Sequence, residues 1–185
     1  MIRTLLLTFM AICLAWAVSS GASAGPAHQF EFRAIDGGAL PLSAYRGKAV
    51  MVVNTASFCG YTGQYADLQV VWAAYRDRGL VVVGVPSNDF GHQEPGTAAQ
   101  IKEFCQVNFA IDFPMADKEI VKGAAAHPFY AWARETFGER AAPKWNFHKY
   151  LLDQDGNLVA WFPTSIRPNA PRVTDILDDL LAPKS

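Results

Sequence analysis

The sequence predicts an α/β domain in which helices flank a central mixed sheet, and three observations carry that expectation. Two apolar, β-branched runs, Ala49 to Asn54 and Leu80 to Val85, bracket a stretch of helical periodicity. Farther on, Gln154-Asp155-Gly156-Asn157 separates two more apolar runs, the strongest hairpin signal in the chain. A last amphipathic stretch follows them. The 185 residues carry a formal net charge of −1, with 51% hydrophobic and 18% charged residues. That balance suits one globular domain and gives no electrostatic reason to expect binding to nucleic acid or a membrane surface.

Residues 1–24 read as a secretory signal peptide. Arg3 precedes an apolar core from Leu5 to Val18, and Ala22-Ser23-Ala24 is a small-x-small cleavage pattern. The core is shorter than the roughly 20 residues that a membrane span needs. Cys13 lies within it behind the bulky Ile12, which argues against lipidation. Cleavage leaves residues 25–185 as one thiol-bearing domain in an exported compartment, periplasmic or secreted, where disulfides persist. Of the three cysteines, Cys59 and Cys105 then remain.

In the mature chain, Phe30, Phe32 and Ile35 alternate with Glu31 and Arg33 ahead of Asp36-Gly37-Gly38, as a short edge strand and a turn would. The run from Ala49 to Asn54 is a buried strand leading into a loop that holds Cys59. Tyr65, Leu68, Trp72 and Tyr75 fall on one stripe of a helix from Gln64 to Arg78, stopped by Gly79. The strand Leu80 to Val85 closes a βαβ unit, whose crossover is right-handed. After a Gly- and Pro-containing loop from Asn88 to Gly96, Thr97 caps a helix with Ile101, Phe104 and Cys105 on its apolar face. A further helix spans Pro128 to Phe137. The hairpin pairs Tyr150–Asp153 with Leu158–Phe162, and a final helix gathers Val173, Ile176, Leu177, Leu180 and Leu181. A βαβ half followed by an antiparallel hairpin and a helix is the thioredoxin-like arrangement.

Cys59 stands between strand and helix in Ser57-Phe58-Cys59-Gly60-Tyr61-Thr62. A lone cysteine is often a small apolar filler. A thiol near a helix N-terminus, however, meets free N–H groups and the positive end of the dipole, which favour the reactive thiolate. Thr62 occupies the position at which a C-x-x-C pair would have its second sulfur, so dithiol exchange lacks its usual partner and peroxide attack by a single nucleophile fits better. Taken singly, Gln93 reads as a loop amide, Trp145 as core packing and Asn146 as a turn residue.

With these blocks in view, the chain resembles the glutathione peroxidase family, in its cysteine-containing, thioredoxin-reduced branch, from about Phe30 to Leu181. The resemblance rests on Asn54-Thr55-Ala56-Ser57-Phe58-Cys59-Gly60, Gly79 to Gly84, Asn88 to Gly96, Ala126-His127-Pro128 and Lys144-Trp145-Asn146-Phe147. It implies that Cys59 is the peroxidatic residue, with Gln93, Trp145 and Asn146 completing a tetrad. It also implies that Cys105 is a resolving cysteine, closing an intramolecular disulfide that a thioredoxin-like protein or glutathione reopens. The tetrad chemistry is sound, because two amides and an indole offer donors to a thiolate and a departing oxygen without adding a charge. Cys105 shares its helix face with Ile101 and Phe104, so a bridge requires local unwinding, and a mobile segment is expected around Gln106 to Ile111. A static disulfide between the same cysteines is the competing reading.

The chain departs from the family pattern at Ser87, where many relatives carry Cys, at Asp89 in place of Gln, and at Gly63 in place of Pro. Asp89 would place a negative charge beside the site. The short stretch from His127 to Trp145 resembles that of monomeric members with an open site for bulky hydroperoxides. His28, His92, His127 and His148 lack ligand spacing with the cysteines, so neither a metal nor an organic cofactor is expected. The rival readings are an exported thiol–disulfide transfer protein and a redox sensor.

Overall fold

Strands β3 (Ala49–Thr55) and β4 (Leu80–Pro86) are buried at every residue, as parallel strands covered on both faces must be. The structure, a computed structural model, describes residues 26–183; the expected signal peptide and Cys13 lie outside them. β3 and β4 pair in parallel from Ala49 opposite Leu80 to Thr55 opposite Pro86. Helix α1 (Gln64–Tyr75) makes the crossover between them. Strand β5 (Lys149–Leu152) lies antiparallel to the other side of β3, and β6 (Leu158–Phe162) antiparallel to β5. The order β4-β3-β5-β6 is therefore a mixed sheet. The expected edge strand is the three-residue β1 (Glu31–Arg33), which pairs with β2 (Ala39–Pro41) across the Asp36-Gly37-Gly38 turn in a sheet of its own, and whose Arg33 O also accepts from Asp117 N at 2.7 Å.

Alternation along the strands divides the core in two. Met51, Val53, Val82 and Leu151 pack with Tyr65, Leu68 and Val71 of α1, Ile101 and Cys105 of α2 (Ala98–Phe109), and Val173 and Leu177 of α4 (Pro171–Leu180). Val50, Val52, Val81, Val83 and Tyr150 pack with Phe32 and with Phe129, Tyr130 and Ala133 of α3 (Pro128–Phe137). Each fully buried aliphatic side chain contributes roughly 1.5–3 kcal/mol, so these faces carry the fold.

The first helix is shorter than its stripe implies. It ends at Tyr75, and Arg76–Arg78 tighten into a 3₁₀ turn closed by Gly79 at φ 101°, a left-handed conformation that glycine adopts freely. Val70 on this helix is exposed, whereas Gln64 and Asp67 are buried. The polar pair faces inward because the Thr164–Asn169 loop supplies partners: Thr164 O accepts from Gln64 Nε2 at 2.7 Å, and Arg167 and Asn169 donate to Asp67 at 2.8 and 3.0 Å. Thr97 caps α2 as expected, in a reciprocal box with Gln100. His127 caps α3 through Nδ1, stacks on Phe32 at 4.4 Å and so joins helix to hairpin.

At the β5–β6 turn, Asp153 Oδ1 accepts from the backbone N–H groups of Asp155 and Asn157 at 3.0 and 2.8 Å. Gly156 adopts φ 84°, and a Cβ there would stand 2.9 Å from the His28 ring. Its carbonyl accepts from Ala27 N at 2.7 Å, which docks the start of the described chain on this turn.

Candidate active site

β3 ends at Thr55 and delivers Ser57-Phe58-Cys59 to the edge of the core. Cys59 is 7% exposed, its neighbour Phe58 66%. Four residues separate Cys59 from the start of α1, so it sits in a turn ahead of the helix rather than in its first turn. Thr62 builds that turn. Its Oγ1 accepts from Cys59 N at 3.0 Å and lies 2.7 Å from Cys59 O and 3.1 Å from Ala56 O. The position that lacks a second sulfur thus holds a hydroxyl that knits the turn together. Tyr61 N points at Cys59 Sγ from 3.4 Å, a backbone donor to the sulfur.

The loop after β4 closes over this turn. Gln93 O accepts from Phe58 N at 3.0 Å. Glu94, fully buried, accepts from both Ser57 N and Ser57 Oγ through Oε2, at 2.9 and 3.1 Å. Burial raises the Glu94 carboxyl above the ordinary range, while the Ser57 bonds hold it back. Asp89 is engaged elsewhere, its carboxylate accepting from Val121 N at 2.7 Å and Lys122 N at 3.2 Å.

The third segment precedes β5. Asn146 is fully buried and donates from Nδ2 to Gln93 Oε1 at 3.0 Å. This bond uses the acceptor end of Gln93, and no protein acceptor takes its Nε2 among the described residues. Asn54, next to last in β3, donates to Trp145 O at 3.1 Å, and its own carbonyl accepts from Phe147 N at 2.6 Å. Trp145 is 38% exposed, with its ring 5.8 Å from Phe90. The structure therefore joins Gln93 to Asn146 directly and to the Cys59 turn through Phe58. Trp145 shares a cavity of about 390 Å³ with Tyr61 and His148.

Cys105 lies in the same core cluster as Cys59, fully buried, and both thiols are free. Burial pushes the Cys105 thiol up to about 11, against a lowering hydrogen bond from Tyr65 and with a further rise from the Glu94 charge. The exposed turn Gln106–Asn108 follows it, and α2 ends at Ala110 with φ 52°. Between the two cysteine-bearing segments lies an apolar cavity of about 390 Å³ lined by Phe58, Pro95, Ile101 and Phe104.

On its other side, Trp145 borders a cavity of about 540 Å³ with Phe90, Lys122, Arg134, Glu139 and Lys144. Three cations and one carboxylate line it. Among the described residues, no group of three His, Cys, Asp or Glu side chains could hold a metal ion.

Sequence reasoning passed over Thr62 as a structural group, and over Asn54, Glu94, Lys149 and Thr164 altogether. Asn54 and Glu94 fall inside the motif blocks, and Glu94 directly follows Gln93. Lys149 carried a signal of another kind, a lone cation next to an apolar strand run.

The glutathione peroxidase family profile matches residues 27–134. The glutathione peroxidase-like peroxiredoxin GPX5 of Chlamydomonas reinhardtii is 41% identical over 148 residues, 78% of this chain and 91% of that protein. The hydroperoxy fatty acid reductase gpx1 of Synechocystis is 38% identical over 148 residues, 76% of this chain and 88% of the relative. Among solved structures, Trgpx in its apo form superposes with a TM-score of 0.70 at 31% identity, covering 86% of this chain and 97% of that one. The profile match holds the Cys59 turn, the Gln93 loop and the β3 and β4 strands that carry them. This chain belongs to the glutathione peroxidase family.

Proposed function

We propose that this thiol peroxidase reduces hydroperoxides through Cys59, with Gln93, Trp145 and Asn146 as hydrogen-bonding partners. The Cys59 thiolate attacks the terminal oxygen of ROOH. The O–O bond breaks, Cys59 becomes a sulfenic acid, and RO⁻ leaves as ROH after taking a proton. Neutral donors such as the amides of Gln93 and Asn146 and the Trp145 indole stabilise the charge moving onto the departing oxygen without competing for it. The observation that carries this reading is the Asn146–Gln93 hydrogen bond of 3.0 Å, with Gln93 itself tied to Phe58.

In the second step Cys105 attacks the sulfenic sulfur, a Cys59–Cys105 disulfide forms and water leaves. A thioredoxin-like dithiol or glutathione then reduces the bridge. The cationic cavity beside Trp145 favours hydroperoxides with an acidic head, and a relative named for hydroperoxy fatty acids supports that preference. The domain works as a monomer outside the cytoplasm after loss of residues 1–24.

Stopped-flow oxidation of the reduced protein by hydrogen peroxide and by a fatty acid hydroperoxide tests this. Rapid, Cys59-dependent oxidation is expected, followed by turnover with thioredoxin. Slow oxidation together with fast disulfide exchange would instead identify a thiol–disulfide transfer protein.

A further inference from the structure

We propose that Lys149 is a positioning residue for the peroxide-cleaving step, holding Trp145 and Asn146 in place from behind by fixing the backbone at Phe147. The proposal rests on the reading of Asn146 as a partner of Cys59.

Lys149 is the first residue of β5, pairs with Val53 and Phe162, and is fully buried. An ammonium in an apolar core is costly unless it is hydrogen-bonded, and an apolar chain of similar volume would pack there without that cost. What the amine adds is two bonds. Its Nζ donates to Phe147 O and to Ile166 O, each at 2.6 Å. Asp67 of α1 is the carboxylate whose charge acts on it, and that carboxylate is itself held by Arg167 and Asn169.

Both carbonyls belong to the segments that hold Asn146. Phe147 adopts φ 61°, a left-handed backbone that a bulky residue takes only under constraint. Its N–H is fixed on Asn54 O, and its ring meets Tyr65 edge-on at 5.3 Å. Ile166 lies two residues after Thr164, whose Oγ1 donates to Asn146 O at 2.7 Å. Lys149 therefore stands where both ends of a brace meet: one end runs through Phe147 to Asn146, the other through the 164–166 loop to the same residue. From Asn146 the connection continues through Nδ2 to Gln93. Without the amine, two inward carbonyls lose their donor and the strained turn loses one of its restraints.

The test measures Cys59 oxidation by hydrogen peroxide in a Cys105→Ser background, so that only the first step is read. Lys149→Met is expected to slow it about 10- to 100-fold, the scale of a small misplacement of reacting groups. The penalty should match that of Asn146→Ala, and the double variant should be no slower than either single one, because both remove the same positioning. Lys149→Arg, which keeps the charge and donors, should recover part of the rate. Lys149→Gln keeps a neutral amide donor on a shorter side chain, and Thr164→Val cuts the brace at a half-buried site; they decide the question if Lys149→Met does not fold. A folded variant reacting at the parent rate, or penalties that multiply in the double variant, would overturn the proposal. Asn146→Ala at the parent rate would overturn the reading of Asn146 first and this inference with it.

Discussion

The ring of Phe58, the residue before Cys59, lies 6.1 Å from the ring of Phe104, the residue before Cys105. The two cysteine-bearing segments are thus already in contact in the reduced protein, although the Cys105 thiol faces the core. Iodoacetamide near neutral pH is expected to label Cys59 well before Cys105, whose thiol burial holds at about 11. After one equivalent of peroxide, neither should label and the mass should report an intramolecular disulfide. Equal labelling of both cysteines before oxidation would refute this order.

Ala110 ends α2 in a left-handed conformation that suits glycine. Ala110→Gly should stabilise the protein by about 1 kcal/mol, read as a higher urea midpoint with unchanged slope. If the last turn of α2 opens to release Cys105, the same change slows disulfide closure while leaving Cys59 oxidation as it was. Closure at the parent rate would mean that another segment yields.

Trp145→Phe removes an indole donor while keeping a ring against Phe90. Because Trp145 is more than a third exposed, stability should fall by less than about 1 kcal/mol. The rate of Cys59 oxidation should fall by about 10- to 100-fold, which stopped-flow mixing with peroxide measures directly. A rate unchanged by the substitution would remove Trp145 from the chemistry.

Burial lowers Lys149 from 10.5 to about 7, so the folded protein gives up this proton sooner than the unfolded chain does. Between those values the unfolded state binds more protons, and stability therefore rises with pH across that window. Asp67 opposes the shift without cancelling it. Urea melts at about pH 7 and about pH 9 should show the rise in the wild-type protein and a smaller one in Lys149→Met. An identical pH dependence in both would show that the amine does not titrate there.

Glu94 has the opposite sign. Its carboxyl is raised by burial, so its contribution is greatest below its ordinary pKa and shrinks as pH rises through the folded one. Glu94→Gln cannot titrate and should flatten that part of the acid-side stability curve. A curve that matches the parent would exclude Glu94 as its source.

The sheet could be read from the sequence because its strands leave local marks, whereas the meeting of Gln93 with Asn146 was implied only by the family resemblance. β-branched runs mark β3 and β4, an Asp-Gly turn marks the β5–β6 hairpin, and short ordered motifs mark the loops. The buried state of Cys105 followed from its helix face. That Glu94 and Lys149 are buried was not legible, since a charge in a loop or at a strand end normally faces water. Only the distant segments that enclose them, Ser57 over Glu94 and Ile166 over Lys149, supply the donors and acceptors that make burial tolerable. Thr62 was legible as a missing sulfur, yet its bonds to the Cys59 turn depend on backbone angles that no spacing reveals. The separate β1–β2 sheet was hidden for a related reason, as three-residue strands carry too little alternation to show their partner.

The junction of Ala27, His28 and Gly156 lies at the end of the sheet where β3 begins, whereas Cys59 emerges just past the end where β3 finishes. Anything joined ahead of Pro26, whether a purification handle, a surface tether or a fusion partner, therefore leaves from the pole away from the chemistry. Immobilisation by that end is expected to leave the Cys59 turn facing solution.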